Sequence, residues 1–101
     1  MYTPDLIIKK LELTVSSYSN NKILSESFRS DFKIESKDLI NELKNDLNTS
    51  SKKFKNRIKQ LDRLIEKEIK RLQDLPDPEG QARPNISALR ADQLSIQNFI
   101  Q

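Results

Sequence analysis

Three carboxylates spaced four residues apart are the residues of this sequence best placed for chemistry. Asp38, Glu42 and Asp46 would lie on one face of a helix, where neighbouring carboxylates can act as acid and base or hold a metal ion. The 101-residue chain has no histidine, which is the usual partner in such helix-borne metal sites and the commonest general base. We therefore interpret the three carboxylates as a solvated acidic helix face.

Composition excludes other kinds of active site. Without cysteine there is no disulfide, thiolate zinc site or thiol nucleophile, and the single glycine, Gly80, cannot form a glycine-rich phosphate loop. The serines have no histidine to activate them. The sequence predicts no catalytic residue, no metal site and no cofactor. With no apparent signal peptide or membrane span, it favours an intracellular location, cytoplasmic or nuclear.

A basic stretch is the most informative polar feature. Between Lys52 and Arg71 nine cations are opposed by three carboxylates, although the whole chain has a net charge of only +3. Six of the cations recur every three or four residues and so line one side of a helix, the basic face: Lys52, Lys55, Lys59, Arg63, Lys67 and Lys70. This face is the solvent side of a coiled coil, a surface for an acidic protein, or a surface for nucleic acid or anionic membrane. The basic face lacks the interleaved aromatic residues that stack on bases, which disfavours nucleic acid.

The elements that position these residues are helices. One valine, no tryptophan and one glycine leave little material for strands and hairpins, and the apolar residues recur at helical spacing. We predict helices over residues 4–19, 36–75 and 85–101, a weaker one over 22–33, and a linker over 76–84. Thr3, Ser36 and Asn85 are the expected N-caps. Residues 2–18 form an amphipathic segment that we expect to pack on another helix and not to lie on a membrane.

The predicted long helix contains one weak point. No glycine or proline interrupts the chain from Ser36 to Pro76, but Asn48–Ser51 are four polar residues that favour turns. Either one helix runs through them or two helices meet there. We favour one helix, because the heptad register is maintained across the segment.

Apolar residues form a heptad seam along this helix. Glu68 is a charged d position, with Ile69 beside it as a substitute. The seam is either an intramolecular core or a docking surface, and the short last helix favours docking because it cannot cover the long one. The predicted partner-binding residues are Phe54, Ile58, Leu61, Ile65, Leu72 and Leu75 in the seam, with Ile86, Leu89, Ile96 and Ile100 in the last helix.

The low apolar content supports the same interpretation. Apolar residues make up 35% of the chain and charged residues 33%, which leaves little core for this length. The sequence predicts an all-α, elongated antiparallel helical bundle with a coiled-coil segment, in a single domain that is a fragment or subunit of a larger assembly. Its expected function is non-catalytic: docking partner helices in a hetero- or homo-oligomer. The alternative is an electrostatic binder of nucleic acid or anionic membrane through residues 52–71.

Overall fold

Each helix of this chain carries apolar residues at three-to-four spacing. The structure, a computed structural model, describes residues 2–76 and 80–100, and in these ranges it contains helices and no strand. The all-α prediction is confirmed. In chain order the elements are α1 (Pro4–Ser19), α2 (Glu26–Lys44), α3 (Lys52–Asp74), α4 (Arg83–Gln97) and a terminal 3-10 turn (Asn98–Ile100).

Small polar residues fix where the first three helices begin. Thr3, Ser25 and Ser51 precede α1, α2 and α3, and the hydroxyl of each accepts a hydrogen bond from the backbone N–H three residues later. The predicted caps Ser36 and Asn85 are wrong: both lie inside helices, and α4 begins after Ala82 without a side-chain cap. Of the predicted linker, residues 77–79 lie outside the described part of the chain.

Successive helices are antiparallel. The Tyr18 and Phe28 rings, from the end of α1 and the start of α2, have centroids 5.2 Å apart. Arg57 at the start of α3 donates to Glu42 at the end of α2, with a distance of 2.7 Å. The radius of gyration is 13.9 Å, close to the ~13 Å of a compact domain of this length. The chain therefore folds as an up-down-up-down bundle.

Polar contacts bring the last helix back to the first. The Tyr18 hydroxyl donates to Asp92 Oδ2 at 2.8 Å, and Lys10 Nζ lies 3.8 Å from Asp92 Oδ1. Burial and the Asp92 carboxylate both raise the pKa of Tyr18, so the hydroxyl keeps its proton and remains the donor. Between the Tyr2 and Phe99 rings, at the other end of the bundle, the centroid distance is 5.1 Å.

The predicted single helix over residues 36–75 is not confirmed, because the chain turns between Lys44 and Lys52. Asp46 adopts a left-handed backbone with φ of 69°, and the Leu47 N–H donates to the Glu42 carbonyl at 2.9 Å. This is the Schellman arrangement that ends helices. The polar residues 48–51 then form the turn before α3, as the two-helix alternative requires.

The start of α2 also differs from the prediction. The weak helix over 22–33 and the first part of the predicted long helix are one continuous helix, Glu26–Lys44. Ser36, expected as a cap, lies fully buried in its middle, and its hydroxyl has no hydrogen-bond partner. Phe32 and Leu39 flank it on the same buried face, so the apolar pattern of the helix outweighs one polar interruption.

Replacing Asp46 by glycine should stabilise the chain by about 0.5–1 kcal/mol, because glycine adopts a positive φ without the steric cost of a Cβ. In a continuous helix the same change would destabilise by about 1 kcal/mol. Urea unfolding followed by circular dichroism measures the sign. The matched variant Asn45→Gly, at a negative φ, should not stabilise.

Candidate functional site

The predicted docking seam lies mainly inside the bundle. Seven of the ten predicted partner-binding residues, in α3 and α4 together, are at most 1% exposed: Phe54, Ile58, Leu61, Ile65, Leu72, Leu89 and Ile96. Ile86 and Ile100 are partly buried against the same core, and only Leu75 is largely exposed, at 44%. The heptad side chains therefore pack against the chain's own helices, so a partner would reach the seven buried ones only if the bundle opened.

The charged position of the seam is buried as well. Glu68 and Ile69 both face the core, and Glu68 is 3% exposed. Its carboxylate accepts hydrogen bonds from the Ser25 N–H at 2.7 Å and the Ser25 hydroxyl at 3.1 Å. Arg71 adds a two-pronged pair at 2.8 and 2.9 Å, and also donates to the Ile23 carbonyl at 3.0 Å. Glu68 thus ties α3 to the first turn of α2.

Two opposed effects set the protonation of this carboxyl. Burial raises the pKa of Glu68, but the hydrogen bonds from Arg71 and Ser25 together with the Arg71 charge leave it below the usual value. Glu68 raises the pKa of the Arg71 guanidinium in return. Both groups stay charged at neutral pH, and their charges satisfy each other.

The predicted basic face is on the surface. All six of its residues are exposed, on the side of α3 opposite the buried residues: Lys52, Lys55, Lys59, Arg63, Lys67 and Lys70. None of the six forms an ion pair within residues 2–76 and 80–100. Other cations of α3 are paired, since Arg57 and Lys53 contact Glu42. The six are therefore free to meet an external anion.

The three carboxylates Asp38, Glu42 and Asp46 do not form a common face. Glu42 faces α3 and pairs with Arg57 at 2.7 Å and Lys53 at 3.5 Å. Asp46 lies beyond the end of α2, so Asp38 is the only one of the three that is exposed on that helix. The interpretation of a solvated acidic face is wrong for Glu42, whose charge joins the two helices.

A groove runs along the junction of α2 and α3, and we call it the α2–α3 groove. Its central cleft has a volume of about 300 Å³. A neighbouring cleft towards the start of α3 shares Glu35 and Gln60 with it, and one towards the end of α3 shares Asp31 and Leu64. The residues of α3 that line the groove are Lys52, Lys53, Asn56, Arg57, Gln60, Arg63, Leu64, Lys67, Glu68 and Arg71.

Two apolar residues of this groove were not among the predicted sites. Ile34 is 55% exposed on α2, and Leu64 is partly buried on α3. Ile34 breaks the four-residue spacing of Phe28 and Phe32, and Leu64 falls outside the a and d positions of the heptad. Both departures from the pattern are readable in the sequence, but they identify a groove only when the two helices are known to be neighbours.

In the described ranges no three histidine, cysteine, aspartate or glutamate side chains come together as a metal site. Nor does any helix there have the length and apolar character to cross a membrane.

No protein-family model, curated protein or solved structure matches the chain. Its function is therefore inferred from its own side chains.

Proposed function

We propose that this chain is a non-catalytic helical module that binds an acidic surface of another protein, in the cytoplasm or nucleus. The observation that supports this most is the basic face, whose six cations are exposed and without an anionic partner in the described ranges. Unpaired like charges held in line on a rigid helix repel one another, and an acidic partner relieves that repulsion. The proposed docking surface is therefore the exposed basic face, and the buried seam forms the core.

The surroundings of the basic face favour a protein over a phosphate polymer. Three of its members, Lys52, Arg63 and Lys67, line the α2–α3 groove, where Asp31 and Glu35 stand opposite them. A continuous phosphate backbone laid along the groove would meet these carboxylates, whereas a protein can place its acidic residues selectively. Phe54, the aromatic residue of α3, is fully buried, so the basic face has no exposed aromatic side chain on this helix for stacking.

The second candidate function uses the same cations. Five of the six residues are lysines, which interact with phosphates as point charges, so binding to nucleic acid or anionic membrane is the alternative. Its hallmark is a steep fall in affinity with added salt and little dependence on the shape of the polyanion.

Reversing Lys55, Lys59 and Arg63 to glutamate should strongly weaken binding to acidic ligands. Folding should stay intact, because all three side chains are exposed. The probes are polyglutamate, duplex DNA and phosphatidylserine vesicles, compared by fluorescence anisotropy or co-sedimentation at two salt concentrations. We expect polyglutamate to bind and the triple variant to weaken its binding by at least about tenfold. Unchanged helicity by circular dichroism verifies folding.

A matched variant separates local from overall charge. Reversing Lys9, Lys33 and Lys37 alters the net charge equally, but at exposed positions of α1 and α2. It should weaken polyglutamate binding by less than about threefold, since charges beyond a Debye length are screened. Equal losses in both triple variants, or no polyglutamate binding at all, would contradict the proposal. Tighter binding to DNA or vesicles than to polyglutamate would establish the second candidate instead.

A further inference from the structure

The α2–α3 groove has the length and the walls needed to bind a helix. Its three clefts share lining residues, so the groove is continuous from Lys52 to Arg71. At 1.5 Å per residue this span of α3 is roughly 28 Å, the length of an α-helix of about 19 residues. Its walls are two antiparallel helices, and a third helix packs into such a groove by ridge-and-groove contacts.

The centre of the groove is apolar. Ile34 from α2 and Leu64 from α3 line the same 300 Å³ cleft, and Ile34 is more than half exposed. A cleft of this size accommodates one large apolar side chain of a partner. Burying an apolar side chain of a bound helix there removes apolar surface of both Ile34 and that side chain from water, which favours binding.

The charges at the rim select the partner. Lys52, Arg63 and Lys67 line the groove without an ion pair in the described ranges, whereas Asp31 is the one unpaired carboxylate on the wall. The other charged lining residues, such as Arg57 and Glu35, already pair with each other or with their neighbours. The unsatisfied charge of the groove is thus positive, and an acidic partner complements it.

We propose that the α2–α3 groove binds an acidic amphipathic helix of a partner protein, with an apolar side chain of that helix between Ile34 and Leu64 and its carboxylates towards Arg63 and Lys67. This inference rests on the proposed function and specifies its partner. The basic face supplies attraction, and the apolar cleft supplies the preference for a helix with an apolar stripe over any other acidic chain.

Two synthetic peptides test the inference. Both are about 18 residues long and rich in glutamate, and one carries leucine at helical spacing where the other carries serine. We expect the leucine peptide to bind at least about tenfold more tightly, and to become helical on binding. Amide chemical shifts in labelled protein should change along the groove, with the largest changes around Ile34 and Leu64.

Two single variants test whether the preference for the leucine peptide depends on Ile34. Ile34→Gln should reduce leucine-peptide binding to the level of the serine peptide, whereas Leu94→Gln should not, because Leu94 is equally exposed but lies on α4. Reversing Lys52, Arg63 and Lys67 to glutamate should weaken both peptides. Circular dichroism verifies that each variant folds.

Other outcomes would contradict the helix-docking inference, the proposed acidic partner, or both. If both peptides bind equally and Ile34→Gln has no effect, the helix-docking inference is wrong, while loss of both peptides on charge reversal still supports an acidic partner. If neither peptide binds, both proposals fail. If light scattering shows a dimer that Ile34→Gln dissociates, a second copy of this chain occupies the groove and the inference is overturned.

Discussion

Replacing Ile65 by aspartate is expected to unfold the chain. Ile65 is fully buried in α3, in a core shared by all four helices. A carboxylate there either loses its hydration or forces the bundle open, which costs several kcal/mol, about the whole stability of a small domain. Circular dichroism should show most of the helical signal lost at room temperature, in dilute monomeric protein as well as in concentrated solution.

Leu75→Asp is the matched control, since Leu75 belongs to the same predicted heptad but is 44% exposed. Its free energy of unfolding, measured with urea, should change by no more than about 0.5 kcal/mol, as for an ordinary surface substitution. The comparison separates a core from an interface. If Ile65→Asp kept its helicity and lost only an oligomer, the seam would be a contact between chains and the intramolecular packing of α3 described above would be wrong.

The second large effect is expected for Glu68→Ala, at about 3 kcal/mol of lost stability. Glu68 is buried whereas the Arg71 side chain is 36% exposed, so most of the loss comes from the Ser25 donors left without an acceptor, at about 1–3 kcal/mol for each buried donor. Here Arg71 loses its carboxylate, and the first turn of α2 loses the acceptor of the Ser25 N–H. Chemical denaturation measures the change. Glu66→Ala, which removes a single hydrogen bond from Gln93, should cost less than about 1 kcal/mol.

Acid should remove the advantage that Glu68 confers. Because the folded-state pKa of Glu68 lies below 4.5, its carboxylate contributes stability above that pH. The contribution diminishes as the pH falls through the folded pKa. The difference in unfolding free energy between the unmodified chain and Glu68→Gln should therefore be constant from neutral pH to about 6 and shrink below 4.5. A difference that is independent of pH would show that the carboxylate contributes through its shape and not its charge.

The helical fold and the side of α3 that faces water could be predicted from the sequence, because both follow from the spacing of apolar and charged residues. The six cations of the basic face are exposed as their periodicity predicts. The turn at residues 45–51 could not be predicted from this spacing. Its geometry depends on the left-handed backbone of Asp46, which the periodicity of apolar residues does not indicate.

The nature of the seam depended on the same turn. A continuous helix would have extended past any local partner, so its apolar face appeared to require another chain. Once the chain reverses after Lys44, α2 itself covers one side of α3 and α4 covers the other. The α2–α3 groove could not be predicted from the sequence for a related reason. Ile34 and Leu64 are 30 residues apart, and only the packing of α2 on α3 makes them neighbours.

The bond between Glu68 and Ser25 also bears on how the chain is made. Ser25 leaves the ribosome 43 residues before the carboxylate that its backbone N–H requires. During synthesis the Ser25 N–H at the start of α2 is therefore left to water until Glu68 has emerged. Completion of this bond waits until the last turns of α3 have emerged and can fold back. A nascent chain stalled within α3 should accordingly remain open to proteases around residues 20–26, and release of a few more residues should close that site.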